Sequence, residues 1–98
     1  MRESQYQSKI IGTLTDMFPG CVILKNDPNY IQGIPDLVIF FYDRWAMLEV
    51  KAAHDAPERP NQGYYVAKLD AMSFAAFIFP ENEDEVLHEL QQALCGRR

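Results

Sequence analysis

Positive charge is scarce in this sequence. Its 98 residues hold nine Lys plus Arg against fourteen Asp plus Glu, a formal charge of −5. A protein that coats nucleic acid through a basic patch is therefore not expected. An acidic chain reaches a polyanion where a bound cation reverses the local field. Cysteine is nearly absent too. Cys21 and Cys95 are too few for a disulfide framework, and neither stands at zinc-ligand spacing from a His. A reducing, cytoplasmic setting is the expectation. Long apolar runs are missing: Leu37–Tyr42 and Phe74–Pro80 are strand-sized, far short of the ~18 residues of a membrane span, so no membrane partner is expected. The opening MRESQYQSK is polar and helical in pattern, unlike a signal peptide. With no repeat, low-complexity tract or linker, residues 1–98 read as one domain.

Ordinary globular composition fills the rest, with 48% hydrophobic and 23% charged residues. Tyr6, Ile10, Leu14 and Met17 recur at helical spacing between Glu3 and Met17, and Pro19-Gly20 closes that helix. Cys21–Lys25 is a short β-rich run, followed by turn chemistry at Asn26–Asn29. Asp36–Tyr42 is nearly continuously apolar, as in a strand covered on both faces. Trp45–Lys51 is its hairpin partner across Asp43-Arg44, and a polar loop with two prolines runs from Ala52 to Pro60. Asn61–Met72 reads as a helix and Phe74–Pro80 as a strand. Asn82 opens a last helix as its cap, with Glu85 completing a capping box and Gly96 stopping it. The order helix, three strands, helix, strand, helix predicts an α/β fold with a mixed central sheet flanked by helices.

The informative residues are the charged ones on those strands. Glu49 and Lys51 are two apart and share a strand face, where charge is costly unless paired or metal-bound. A two-residue turn at Asp43-Arg44 sets Tyr42 opposite Trp45, Val38 opposite Glu49 and Asp36 opposite Lys51. Asp36, Glu49 and Lys51 then converge on one face, with opposite and diagonal neighbours roughly 5–8 Å apart. Two such carboxylates can share a hard cation, Mg²⁺ or Mn²⁺, with the Val50 carbonyl as a third oxygen ligand. A bound cation acidifies water, and with Lys51 it can stabilise charge on a phosphoryl oxygen, which suits phosphodiester hydrolysis. Asp36 capping a loop beside an ordinary Glu49–Lys51 ion pair is the structural alternative.

At these residues the chain resembles the PD-(D/E)XK nuclease superfamily, and within it the stand-alone VRR-NUC domains of phages and bacteria. Gly33-Ile-Pro-Asp36-Leu-Val is similar to that family's G-x-P-D-L strand, and Leu48-Glu49-Val50-Lys51-Ala to its E-x-K strand. Ala56–Gln62 resembles the loop and the Gln that open its next helix, and Glu3 with Gln7 resembles its N-terminal acidic position. The likeness runs from about residue 3 to residue 80. Met72-Ser73 departs from it, standing where the family often has Gly. The resemblance implies a restriction-endonuclease-like core of order αβββαβ(α) and a metal-dependent DNA endonuclease. It also implies branched DNA such as four-way junctions as substrate and a homodimer as the working form. Asp36, Glu49, Lys51, Gln62 and Glu3 are the catalytic candidates, and Asp36, Glu49 and Val50 the metal ligands.

Several other residues are weighed against plainer roles. Lys25, Arg44, Arg59 and Lys68 can track a phosphate backbone or be ordinary surface charges. Tyr30 and Tyr64 can stack on splayed bases or simply pack. His54, close after Lys51, is a proton donor or a bystander. The aromatics Phe40, Phe41, Tyr42, Trp45, Phe74, Phe77 and Phe79 exceed what one thin core hides, which independently favours a twofold dimer. Two other function classes stay open: an inactive binding module of the same fold, and a small acidic interaction or inhibitor protein.

Overall fold

The computed structural model describes residues 1–96. Its elements are α1 (Glu3–Met17), β1 (Val22–Lys25), β2 (Leu37–Phe41), β3 (Arg44–Val50), α2 (Gln62–Met72), β4 (Ala75–Ile78) and α3 (Glu83–Cys95). This is the expected order in an α/β fold with a four-stranded mixed sheet, β1-β2-β3-β4. β1–β2 and β2–β3 pair antiparallel, and β4 joins β3 in parallel after the α2 crossover. A parallel neighbour needs such a crossover because a tight turn only reverses the chain.

The two sheet faces differ in what covers them. On one, Leu37, Ile39, Ala46, Leu48, Val50 and Ile78 meet the apolar stripes of α1 (Tyr6, Ile10, Leu14) and α3 (Val86, Leu87, Leu90, Leu94). The Tyr6 hydroxyl ties these two helices by donating to Glu83 Oε1 at 2.9 Å. On the other face, α2 lies against β3 and β4. β2 was expected to be covered on both sides, but this holds only for Leu37–Ile39. Phe40 is 43% exposed, and Val22 and Leu24 beside it on β1 are exposed as well. The aromatic surplus thus narrows to Phe40 and Tyr42, since the other five named above are partly buried.

The hairpin register differs from the expectation by one step at the turn. The turn residues are Tyr42 and Asp43, and Phe41 pairs with Arg44, Phe40 with Trp45 and Leu37 with Leu48. One further step along the strands sets Asp36 across from Glu49 rather than Lys51. Both registers have the same parity, so every side chain keeps its face. The earlier turn frees Arg44 to enter β3, where its Nη1 donates to the Ala93 carbonyl at 3.0 Å. That bond supplies a cation to the C-terminal end of α3. The cost is Tyr42 in the left-handed region at φ 55°.

Asn82 departs from its expected role. A 3₁₀ turn, Pro80–Asn82, precedes α3, and the Asn82 amide closes that turn instead of capping the helix. Its Oδ1 accepts from the Phe79 N–H at 2.9 Å and its Nδ2 donates to the Phe77 carbonyl at 3.0 Å.

One glycine fixes the placement of the loop that delivers Asp36. Gly33 has φ +91°, and a Cβ there would fall 2.6 Å from the backbone carbon of Asn61, the residue that opens α2. The β1–β2 loop and the start of α2 are therefore locked together. Gly33→Ala should lower stability by more than about 1 kcal/mol, since both the backbone conformation and the contact are lost. In a domain of this size that is a fall in melting temperature of at least about 4 °C, read by thermal unfolding.

Candidate metal and phosphodiester site

The charged residues singled out on the strands meet at the end of the sheet face that α2 covers. Glu49 is 2% exposed, Lys51 is buried and so is Gln62 at the first position of α2. Gln62 organises the group. Its Oε1 accepts from Lys51 Nζ at 2.7 Å and from the Arg59 N–H at 2.8 Å, while its Nε2 donates to Glu49 Oε2 at 3.1 Å. Rotating the amide by half a turn would set donor against donor twice, so its orientation is fixed. Lys51 Nζ also donates to the Pro57 carbonyl at 3.1 Å and stands 3.9 Å from Glu49 Oε2. The two prolines of the loop stiffen the chain that presents these backbone groups.

Asp36 is partly buried at the entrance of β2, and its Oδ2 accepts from the Val50 N–H at 3.1 Å. Asn26 holds that entrance. Its N–H donates to the Asp36 carbonyl at 2.8 Å and its Nδ2 to the Pro35 carbonyl at 2.9 Å. Val50 points its side chain into the core on the far face, as the alternation requires. A cavity of about 290 Å³ opens beside the group, lined by Gly33, Ile34, Asp36, Arg59 and Gln62 among others.

The electrostatics are those of a site short of positive charge. Among the described residues no amide or ammonium donor meets the buried Glu49 Oε1, and the group beside this side chain is the Asp36 carboxyl. Burial, then the negative charge of Asp36, raises the Glu49 pKa from its ordinary 4.5 to about 8; Lys51 opposes this, while a hydrogen bond between the Asp36 and Glu49 carboxyls and the charge of Glu3 add to it. Glu3, exposed in the first turn of α1, is therefore within electrostatic range of Glu49. Among the described residues no three His, Cys, Asp or Glu side chains form a ready cage for a metal. Two carboxylates are nonetheless the usual protein share of a Mg²⁺ site, whose remaining positions go to water and phosphate oxygens. A buried carboxylate oxygen met by no amide or ammonium donor, beside a second carboxylate, is a donor set that a hard divalent cation fits.

The other sequence candidates lie elsewhere or act through the backbone. Arg59 contributes its N–H to Gln62, and its side chain lines the cavity. Arg44 serves α3, and Lys68 stands 5.7 Å over the Tyr64 ring. Lys25 is exposed at the end of β1. His54 pairs with Glu81 at 2.7 Å on the exposed surface. The pairing raises the His54 pKa and lowers that of Glu81. Sequence reasoning missed Asn26 and the Pro57 carbonyl. Asn26 was legible only as turn chemistry, and no side-chain pattern announces a backbone acceptor.

No protein-family model, curated protein or solved structure matches this chain.

The Glu49 environment makes stability depend on pH. The folded protein keeps the Glu49 proton up to about pH 8, whereas an unfolded chain releases it near 4.5. Between those values the folded state binds more protons, so this group's contribution to stability declines as pH rises and levels off above 8. Urea midpoints of the metal-free protein at pH 5, 6.5 and 8.5 should fall in that order, and Glu49→Gln should remove most of the decline.

Proposed function

We propose that the protein is a Mg²⁺- or Mn²⁺-dependent DNA endonuclease with a restriction-endonuclease-like core, of the PD-(D/E)XK type. The observation that carries this reading is the convergence of Asp36, Glu49 and Lys51 at one end of a sheet face, with the buried Glu49 Oε1 met by no amide or ammonium donor among the described residues. A simple Glu49–Lys51 ion pair would hold Glu49 ionised, whereas here the neighbouring Asp36 and the burial hold its proton, as two carboxyl groups facing each other without a cation must.

In this reading Asp36 and Glu49 hold the cation, with the Val50 carbonyl as the third ligand from the protein. The cation, when bound, polarises a phosphate oxygen and acidifies a water. Lys51 keeps its ammonium beside the two carboxylates, where it counters the charge that grows on the phosphoryl oxygens in the transition state. Gln62 holds Lys51 and Glu49 in fixed relation, which limits the reorganisation needed as charge develops. Glu3 adds negative potential at the cation. The exposed Val22, Leu24, Phe40 and Tyr42 favour a homodimer, and a twofold pair of sites suits cutting both strands of a branched DNA such as a four-way junction.

A panel of linear and branched DNAs, with Mg²⁺, Mn²⁺ or EDTA, tests the activity. Cleavage should require a divalent cation. Asp36→Asn and Glu49→Gln should each abolish cleavage with the fold retained, since losing one of two facing carboxylates relieves repulsion. Lys51→Ala should lower the rate at least about 100-fold, the cost of removing one transition-state donor, while Mn²⁺ affinity by calorimetry changes little. A folded wild type that binds no Mn²⁺ and cuts no DNA would overturn the reading in favour of an inactive scaffold. Light scattering at micromolar concentration should give the mass of a dimer.

A further inference from the structure

The loop between β1 and β2 carries a second cavity that the chemistry above leaves unused. It is a groove of about 470 Å³ lined by Asn26, Asp27, Tyr30, Ile31, Ile34 and Met47. That volume is within the roughly 300–1,000 Å³ of small-ligand sites. Its lining is apolar apart from Asn26, Asp27 and the Tyr30 hydroxyl. Tyr30 lies at the groove 84% exposed, an unusual position for a large ring.

Backbone bonds order the loop that presents Tyr30. The Tyr30 N–H donates to the Asp27 carbonyl at 3.2 Å, the Ile34 N–H to the Ile31 carbonyl at 3.2 Å, and the Asn29 N–H to Asp27 Oδ1 at 2.8 Å. Gly33 then pins the loop against Asn61. An aromatic presented on an ordered loop loses little freedom on binding, which favours recognition by stacking.

The groove neighbours the candidate site. Asn26, on its wall, hydrogen-bonds the Asp36 carbonyl at 2.8 Å, and Ile34 is a wall of both this groove and the smaller cavity that contains Asp36. A polymer with one phosphodiester at Asp36 and Glu49 therefore brings its neighbouring unit to the groove. The occupant must be flat and apolar on its faces and carry hydrogen-bonding groups on one edge. A phosphate does not fit, because the Asp27 carboxylate repels it. A nucleobase fits: its π-face meets Tyr30, and its exocyclic amine has the Asp27 carboxylate as acceptor. A base stacked and paired within a duplex offers no free face.

We propose that this groove takes one unpaired nucleobase of the strand being cut, adjacent to the scissile phosphate. It thereby selects DNA with unpaired nucleotides at the cut over continuous duplex. The inference rests on the nuclease reading above and deepens it.

The test measures binding apart from cleavage, with the full chain in Ca²⁺. The probes are two DNAs of equal duplex length, one blunt and one with a single-stranded overhang carrying 2-aminopurine. Wild type should bind the overhang DNA more tightly and quench its fluorescence. Tyr30→Ala should weaken overhang binding by about 5- to 150-fold, the worth of one base–aromatic stack, and leave blunt binding unchanged. Tyr30→Trp should retain the preference. A Tyr30→Ala protein that still cuts DNA in Mg²⁺ but binds both probes as wild type does would overturn the groove assignment alone. If Tyr30→Ala instead converts a dimer to a monomer by light scattering, with the overhang preference intact, the groove belongs to a second copy of the chain and the assignment falls. A wild type that binds neither probe and cuts no DNA removes the nuclease reading and this one with it.

Discussion

A buried carboxylate is the constraint on which this structure turns. Glu49 sits on a central strand at 2% exposure, where an acid without compensation would cost several kcal/mol. Among the described residues its side chain meets the Gln62 amide at 3.1 Å, the Lys51 ammonium further off at 3.9 Å, and the Asp36 carboxyl, which is no donor once both acids are ionised. Much of the surrounding architecture serves that arrangement. The loop of residues 52–61 reaches back so that Pro57 and Arg59 can fix Lys51 and Gln62, and α2 begins where Gln62 is needed. The price is stability, since the same burial and the neighbouring Asp36 hold the Glu49 proton far above the ordinary carboxylate range. A fold selected for stability alone would place Leu or Val there.

Much of this was legible in the sequence because strand periodicity is strict. Glu49 and Lys51 on one face, with Leu48 and Val50 on the other, follow from a period of two and no further information. Asp36 joined them because the hairpin is short. The exact pairing was not legible: a turn at Tyr42-Asp43 places a tyrosine at positive φ, against local preference. What selects that turn is distant, the Arg44 bond to the end of α3. Local turn chemistry cannot contain a partner 49 residues away. The face assignment survived because the error was an even number of residues.

The same division between local and distant information explains the other differences. The helices were legible from their apolar stripes, but Asn82 was read as a cap because its neighbours on the C-terminal side look like a capping box. Its partners lie on the N-terminal side, in the strand end that it closes. Gln62 was read as a catalytic candidate at a helix start, but its burial was not legible, since that follows from the two charges that need it. A side chain whose role is to satisfy other buried groups has no pattern of its own until the strands that carry those groups are paired.

Under the proposed nuclease reading an acidic chain must approach a polyanion, and the layers set four of its fourteen acidic residues on the far side of the sheet. Glu83, Asp84, Glu85 and Glu89 all belong to α3, which covers the sheet face opposite the one that presents Glu49 and Lys51. Arg59 and Lys68 lie in the loop and helix on the site's own side, each with an acid nearby in the chain, Glu58 and Asp70. At the site itself the acidic groups are Asp36 and Glu49, with Glu3 in range, and in the proposed reading the first two would hold a cation. With so few basic residues facing the site, long-range attraction to a phosphate backbone is weak, and recognition has to come from short-range contacts. In that reading the two proposed contacts, a cation held by Asp36 and Glu49 and a base in the neighbouring groove, would both be short-range, and both depend on the Asn26–Asp36 backbone bond for their relative position.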